Sequence, residues 1–201
     1  QDEGLIFGGV RELLVQHFDR LSAMEQELLV WLAIGREAVG PEQLQENLVH
    51  SIPRRELLEN LRNLHRRSML EQTEQGFTLQ NVVLEFLTDY LIETVYNEIQ
   101  NPKSKIQNLN RYALIKAQAK EYVRASQTRL ILKPVAERVL AALGQAGLEA
   151  RLKAIVEALR QAGPRQPGYA AGNILNLLAH LKVELLAYNF SGLTIRQAYL
   201  G

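Results

Sequence analysis

The stretch that decides the fold is SMLEQTEQGFTLQNVVLEFLTDYLIETVYNEI, which spans residues 68–99. It opens with two short segments of alternating apolar and polar residues, 68–72 and 77–79, on either side of Thr73-Glu74-Gln75-Gly76. These segments predict a β-hairpin, because Gly76 supplies the positive φ that a tight turn requires. A helix of about five turns is predicted to follow directly. Its apolar residues recur at helical spacing: Val82, Val83, Phe86, Leu87, Tyr90, Leu91, Val95 and Ile99.

The junction between the hairpin and this helix is Leu79-Gln80-Asn81. Asn81 is a favourable N-cap residue for the helix. The first amides of a helix lack intrahelical acceptors and carry partial positive charge, which suits an anion such as phosphate. The junction is therefore a candidate phosphate contact. The alternative is that Gln80 and Asn81 begin an ordinary helix.

The composition indicates a helical protein without the strong net charge that would attract nucleic acid or a membrane surface. Apolar residues make up 47% and aromatic residues 6%, which favours helices over a β-rich fold, and 201 residues can hold two modest domains. The net charge is only +1, and the absence of cysteine excludes thiolate metal sites and fits a reducing cytoplasm. No apolar run is long enough to span a membrane. Because the chain begins with Gln1 and stops at Gly201 within a repeat-like pattern, we interpret it as a piece of a longer protein.

Three helices are predicted ahead of the hairpin, preceded by an apolar helical stripe over 10–18. Ser22 and Glu25 form a capping box that begins the first of the three, which ends near Gly35. Pro41 suits the start of the second and Pro53 opens the third. The third directs leucines inward and arginines outward: Arg54, Arg55, Arg62, Arg66 and Arg67. Three helices followed by a hairpin is the order of a winged helix.

A helical region is predicted beyond the polar loop of residues 100–105. A long helix is expected from about Asn110, broken or kinked at Pro134 because proline lacks the backbone donor. Its buried face is expected to carry Tyr112, Ile115, Ala119, Tyr122, Val123 and Leu130. Apolar stripes over 148–159 and 170–185 are separated by Gly-Pro-Arg-Gln-Pro-Gly and predict a helical hairpin.

The last residues change period. Phe190, Ile195 and Leu200 stand five positions apart, a spacing that resembles the opening of a pentapeptide-repeat solenoid with one inward residue per side. Such a coil needs neighbouring coils to cover its apolar face, so the pattern predicts an array that continues. The alternative is a frayed tail whose spacing is accidental.

Charged residues disfavour direct DNA binding, and the absence of known motifs disfavours catalysis. The third predicted helix carries Glu56 and Glu59 among its arginines, and the hairpin carries Glu71 and Glu74 without a Lys or Arg, which opposes a phosphate backbone. We therefore expect its exposed face to meet solvent or protein rather than nucleic acid. The chain lacks a GxxxxGK[ST] loop, an HExxH motif and a GxSxG motif, so no catalytic or metal site is predicted.

Several motifs together resemble one family of proteins. They are Leu21-Ser22-Ala23-Met24-Glu25-Gln26-Glu27, Trp31-Leu32-Ala33-Ile34, Arg54-Arg55-Glu56-Leu57-Leu58, Gly76-Phe77-Thr78-Leu79-Gln80-Asn81-Val82-Val83 and Gln166-Pro167-Gly168-Tyr169-Ala170-Ala171-Gly172-Asn173. This set resembles the region after the nucleotide-binding core in bacterial, chiefly cyanobacterial, NB-ARC proteins, which are STAND-class signalling ATPases often ending in WD or pentapeptide repeats. The resemblance implies four parts: 1–20, the tail of a helical ARC subdomain; 21–99, a winged helix; 100–187, a helical connector; and 188–201, the start of repeats.

The resemblance also implies a role for the junction. In NB-ARC proteins a Met-His-Asp motif begins the helix after the wing, and its histidine touches the β-phosphate of ADP in the resting state. Leu79, Gln80 and Asn81 match that motif by position and depart from it in type. Gln80 cannot become a cation, although its amide can donate a hydrogen bond to a phosphate oxygen. The implied contact is therefore weaker or differently tuned.

The sequence thus leads to a main hypothesis and two alternatives. The main one is a non-catalytic regulatory segment of a cytoplasmic STAND ATPase, with no cofactor of its own. The whole protein would bind ADP or ATP with Mg²⁺, dock this segment on its own core, connect it to C-terminal repeats and possess the capacity to form homo-oligomers on activation. The alternatives are a winged-helix transcription regulator with a helical oligomerisation domain, contacting DNA through the five arginines, and a passive helical adaptor.

Overall fold

The computed structural model describes residues 2–163 and 165–200 and is mainly helical, with one small antiparallel sheet. The elements are α1 Asp2–Asp19, α2 Ala23–Gly35, α3 Pro41–Asn47, α4 Arg54–Arg66, β1 Glu71–Thr73, β2 Gly76–Thr78, α5 Asn81–Gln100, α6 Gln107–Arg111, α7 Glu121–Gln127, a π-helical turn Thr128–Leu132, α8 Lys133–Gln161, α9 Ala170–His180 and a 3₁₀ turn Leu185–Ala187. The chain forms two compact units, one up to Asp89 and one from Tyr90, and α5 contributes to both. Within the described ranges, no helix has the length and apolar content needed to cross a membrane.

Local signals place the helices of the first unit as predicted. The backbone N–H of Glu25 donates to Ser22 Oγ at 3.2 Å and the backbone N–H of Ser22 donates to Glu25 Oε2 at 2.9 Å, so the predicted capping box begins α2. Residues 28–35 of α2 are all buried, which makes this helix the centre of the unit's core. Pro41 occupies the first turn of α3, and α4 follows Pro53 directly.

The hairpin is confirmed, and it is joined by a strand segment that the sequence did not predict. Gln72 pairs with Phe77 and Thr73 with Gly76, whose φ is +135°. Phe77 also exchanges two backbone hydrogen bonds with Val39, each 2.9 Å long. A Cβ on Gly76 would lie 2.5 Å from the Val39 carbonyl oxygen, so glycine is needed here for close approach as well as for its φ.

Helix α5 follows the hairpin after two residues. Its predicted apolar stripe is buried except at its first member, Val82, which is exposed, and at Tyr90, which is half-buried. The far end of α5 is closed by Arg151 of α8. Its guanidinium donates to the carbonyl oxygens of Ile99 at 2.6 Å and Glu98 at 3.0 Å, where the helix end leaves acceptors without intrahelical donors.

The prediction of a long helix from about Asn110 is wrong. The chain forms the five-residue α6, an irregular segment over 112–120 and then α7. Residues 112–115 of this segment are buried, and Asn173 of α9 supplies backbone partners for them: the N–H of Leu114 donates to Asn173 Oδ1 at 2.9 Å, and Asn173 Nδ2 donates to the Tyr112 carbonyl at 2.7 Å. Tyr122 is 63% exposed, against the prediction that it faces the core. Leu130 is exposed as well.

Pro134 is accommodated without a break in the helical chain. The turn before it, Thr128–Leu132, is π-helical, a geometry that shifts the hydrogen-bond register ahead of the proline. The break comes later, at Gly144, whose φ of 66° and ψ of 173° are non-helical. The part of α8 after Gly144 buries Leu148, Leu152, Ile155 and Val156 as predicted, and α8 contacts α9.

The C-terminal residues fold back on α9. Ile195 is 46% and Leu200 58% exposed, and the repeat array whose neighbouring coils would cover such residues stays a prediction. The alternative of a frayed tail is wrong. Asn176 of α9 donates from Nδ2 to the Gln197 carbonyl at 2.9 Å and accepts the backbone N–H of Tyr199 at 2.7 Å. These two bonds tie the extended chain to a buried side chain.

Candidate functional site

The predicted phosphate-contact residues lie at the exposed start of α5. Leu79 is buried, whereas the side chains of Gln80 and Asn81 are exposed. The Gln80 carbonyl accepts the backbone N–H of Leu84 at 2.9 Å, and Asn81 is the first helical residue. Gln80 therefore holds the cap position, and the prediction of Asn81 as the cap is off by one residue. The amides ahead of Leu84 lie outside the intrahelical ladder and give this end its partial positive charge.

An apolar groove lies beside this helix start, between α1 and α5. Its volume is about 260 Å³, and it is lined by Val10, Arg11, Leu14, Val82, Glu85, Phe86 and Asp89. Arg11 and Asp89 form an exposed ion pair of 2.8 Å at the groove. Val10 and Val82 are more than one-third exposed, and Leu13 of α1 is 56% exposed. The groove therefore offers apolar area, flanked by charges, that another protein surface can cover.

The exposed side of α1 was not predicted. Sequence periodicity places Val10, Leu13, Leu14, His17 and Phe18 on one apolar helical stripe. Phe18 is the only member of that stripe that is fully buried, in an edge-to-face contact with Phe86 with ring centroids 5.7 Å apart. Helical spacing identifies an apolar face. It does not show whether that face packs on the rest of this chain or on a partner protein.

The five arginines of α4 and its C-cap are divided among different surroundings. Arg54 pairs with Glu42 of α3 at 2.6 Å, and the Glu42 backbone N–H together with Arg54 holds the pKa of that carboxyl below its usual range. Arg55 is exposed on α4. Arg62 and Arg66 line a cleft between α4 and the hairpin. Arg67 lines a second cleft with His17 and Arg20. Arg54 and Arg67 therefore lie outside the cleft that Arg62 and Arg66 line.

The cleft between α4 and the hairpin has a volume of about 500 Å³. It is lined by Leu58, Glu59, Arg62, Asn63, His65, Arg66, Gln72 and Phe77. Arg66 donates to the Asn63 side-chain oxygen, which holds one guanidinium at the cleft wall. The sequence named Arg62 and Arg66 as contact residues. It did not predict that Phe77 of the hairpin would lie opposite them.

The first unit presents two clefts and one groove at its surface. In the described part of the chain, no group of three or more His, Asp or Glu side chains is placed to hold a metal ion. The partly buried guanidinium of Arg36 donates to Thr88 Oγ1 at 3.0 Å, and burial lowers its pKa. This residue braces α2 against α5 and lies in none of the clefts described above.

Comparison with known proteins identifies a relative and leaves the family open. No family model and no solved structure matches the chain. The chain is 40% identical, over 232 aligned residues, to an "Uncharacterized WD repeat-containing protein" of the cyanobacterium Nostoc sp. (strain PCC 7120). The alignment covers the whole of this chain and 18% of that relative. The chain is thus similar to a short section of a much longer WD repeat-containing protein.

Proposed function

We propose that this chain is the regulatory segment of a nucleotide-switched signalling ATPase of the NB-ARC class. In this proposal α2, α3, α4 and the hairpin form a winged helix that docks on an ADP-bound core in the same protein. Residues beyond α5 form the connector to C-terminal repeats. The segment itself carries no catalytic residues, and the nucleotide and Mg²⁺ belong to the core. The setting is cytoplasmic.

The observation that carries the proposal is the open surface around Gln80. Gln80 and Asn81 are exposed at a positively polarised helix start, and the apolar groove between α1 and α5 begins next to them at Val82 and continues along α5 to Asp89. A docked core would cover the groove and bring a phosphate within reach of the Gln80 amide. Had these side chains been enclosed by the unit's own core, no such contact would be available.

The connector role is supported by how the second unit holds its last residues. The tail is bonded to buried Asn176, and the guanidinium of Arg196 stacks on the ring of Tyr169 at 4.4 Å from its centroid. A movement of C-terminal repeats attached to this tail would therefore be transmitted to α9 and not absorbed by a free linker. The Nostoc relative is a WD repeat-containing protein, and such repeats are the proposed source of that movement.

The switch requires two arrangements of similar free energy that nucleotides bias differently. ADP would favour the docked arrangement through its contact with Gln80, and exchange for ATP would release it. A released segment exposes the groove, which then becomes available for self-association. A ligand shifts this equilibrium only by the difference between its affinities for the two arrangements.

The test is ADP affinity of the full-length protein, measured by calorimetry for wild type, Gln80→Ala and Gln80→His. We expect Gln80→Ala to weaken ADP binding and Gln80→His to strengthen it, because a histidine can add a charge-assisted hydrogen bond. Gln75→Ala at the exposed hairpin tip is the matched control and leaves the affinity unchanged. Equal ADP affinity in all four proteins would remove the proposed role of Gln80.

A DNA-binding regulator is the second candidate, and it is favoured by the exposure of Arg55, Arg62 and Arg66 on α4. The presence of Glu56 and Glu59 on the same exposed helix weakens it. A gel shift with random and selected duplexes tests it. Binding that falls steeply with salt and is lost when the three arginines are replaced would favour this candidate.

A further inference from the structure

The cleft between α4 and the hairpin combines apolar and cationic walls. Half-buried Leu58 and Phe77 supply apolar surface, while exposed Arg62 and Arg66 supply positive charge. Arg54 is already neutralised by Glu42, whereas Arg62 makes no ion pair with any residue that the structure describes. The cleft therefore presents a cation without a partner beside apolar surface.

The alternation of side chains along the hairpin keeps its acidic residues off the cleft wall. Successive strand residues point to opposite faces, so Gln72 and its pair Phe77 share a face that Glu71 does not. Gln72 and Phe77 line the cleft, and Glu71 does not. The acidic residue that does reach the cleft is Glu59, one helical turn from Arg62 on the same helix.

The free edge of the sheet borders the same cleft. Phe77 directs its backbone N–H and C=O to Val39, with both bonds 2.9 Å long. In an antiparallel ladder Gln72, the partner of Phe77, is then at a non-hydrogen-bonded position and directs its own N–H and C=O outward. An extended segment alongside β1 can use this donor and acceptor, as in strand addition.

We propose that this cleft binds an acidic, extended peptide segment of a partner protein. An apolar side chain of the segment packs on Phe77 and Leu58, flanking carboxylates pair with Arg62 and Arg66, and its main chain bonds to Gln72. This site lies apart from Gln80 and goes beyond the proposed nucleotide-dependent docking. Charge complementarity with Arg62 and Arg66 selects the acidic partner, and the apolar floor gives it affinity.

Nucleic acid fits the cleft less well than a peptide. A phosphate backbone has no apolar group that could pack on Phe77 and Leu58. Its negative charge is repelled by Glu59 within the cleft and by Glu74 at the hairpin tip. A peptide can present an apolar group to the floor and leave Glu59 in solvent. The two classes of partner are separated by the experiment below.

The experiment is selection of random peptides displayed on phage against the 201-residue chain, followed by fluorescence anisotropy of the enriched peptides. We expect enriched sequences with Asp or Glu on both sides of an aromatic or aliphatic residue. Arg62→Glu and Arg66→Glu should each weaken binding about tenfold or more, since each replaces an attraction by a repulsion. Circular dichroism verifies that both variants keep the helical fold.

Arg55→Glu is the matched control, because Arg55 is exposed on the same helix and does not line the cleft. It should leave peptide affinity nearly unchanged. The proposal is overturned if the enriched peptides carry no acidic bias, or if all three variants weaken binding equally. It is also overturned if duplex DNA, and no peptide, binds in a way that Arg62→Glu and Arg66→Glu abolish. Each of these outcomes is independent of ADP binding through Gln80.

Discussion

The side-chain amide of Asn173 donates to the carbonyl oxygen of Tyr112 at 2.7 Å, from the middle of the fully buried part of α9. The same Nδ2 donates to the Leu109 carbonyl at 2.8 Å, and Oδ1 accepts the Leu114 N–H at 2.9 Å. One side chain therefore satisfies three backbone groups that a helix would otherwise have paired. Because buried backbone groups need partners, Asn173 is what allows residues 112–115, directly after α6, to be both irregular and buried.

Replacing Asn173 by aspartate should destabilise the second unit strongly. The variant keeps the size and the acceptor, but it loses both donors and places a carboxylate where Asn173 is 1% exposed, facing two carbonyl oxygens. We expect the free energy of unfolding to fall by about 3 kcal/mol or more. Urea denaturation followed by circular dichroism measures it.

Asn101→Asp is the matched control for this substitution. Asn101 is exposed, and its Oδ1 accepts the Lys103 N–H at 3.0 Å, a role that aspartate retains. Its effect should stay within about 0.5 kcal/mol. A similar small loss in Asn173→Asp would mean that the hydrogen bonds of Asn173 do not hold the irregular segment.

Elements of the first unit could be predicted because their signals are local. Ser22 and Glu25 cap α2 from three residues apart, Pro41 begins α3, and Gly76 supplies the positive φ next to the turn. The irregular segment could not be predicted in this way. Its apolar residues follow a helical period, and the side chain that overrides that period, Asn173, lies 59 residues beyond Leu114 in sequence.

The sequence names candidate contact residues and does not predict their surroundings. The exposure of Gln80 agrees with a contact role, and the hairpin and helix on either side of it were read from the sequence. The apolar groove formed with α1 could not be predicted, because the spacing of an apolar stripe does not say what covers it. The path of the tail could not be predicted either, because the five-residue spacing of Ile195 and Leu200 carries no information about Asn176, whose two bonds fix that path.

Gly76→Ala should disrupt the hairpin and its bridge to Val39. A methyl group at this position would lie 2.5 Å from the Val39 carbonyl oxygen and 2.6 Å from its carbon, and a φ of +135° is unfavourable for alanine. Both contacts are with backbone, which cannot rotate away. We expect a loss of about 2–4 kcal/mol in unfolding free energy, measured by thermal and urea denaturation.

Gly9→Ala provides the opposite control. Gly9 lies within α1, and a Cβ there would meet no atom within 4 Å. Alanine should therefore raise or preserve stability, by up to about 1 kcal/mol, through its better helix propensity. If Gly76→Ala were tolerated equally well, the close approach of Val39 to the hairpin would not exist in solution.

Arg54→Leu should raise the pKa of Glu42 only part of the way to its ordinary value. The Glu42 backbone N–H, in the first turn of α3, lowers that pKa most, and the hydrogen bond and charge of Arg54 lower it further. Because the folded-state pKa lies below the unfolded one, the stabilisation is present above the unfolded pKa and is lost as pH falls through the folded pKa. Carbon-detected NMR titration of the Glu42 carboxyl measures the shift.

The neighbouring substitution Arg55→Leu is the control for this titration. The structure places no contact between Arg55 and Glu42, so the pKa of Glu42 should not move. A complete return of the pKa to its ordinary value in Arg54→Leu would show that the backbone N–H contributes nothing. An unchanged pKa would show that the ion pair does not persist in solution.

Gly172→Ala should release the C-terminal tail while α9 remains folded. A Cβ at this position would collide with the carbonyl oxygen of Arg196, and the colliding atom is backbone. The helix itself favours alanine over glycine, so the clash is relieved more cheaply by displacing residues 190–200 than by unfolding α9. We expect faster amide exchange of the Tyr199 N–H, which donates to Asn176, with slow exchange retained in α9.

Asn176→Ala reaches the same release by a different route, since it removes both hydrogen bonds to the tail and introduces no clash. The two variants should therefore share one pattern of exchange, confined to the tail. Limited proteolysis gives an independent readout, with new cleavage after Arg196 in both variants. If either variant loosens α9 as well, the tail is part of the core of the second unit. A wild-type tail that already exchanges freely would mean that the two bonds to Asn176 do not hold it, and the proposed rigid link to whatever follows would lose its basis.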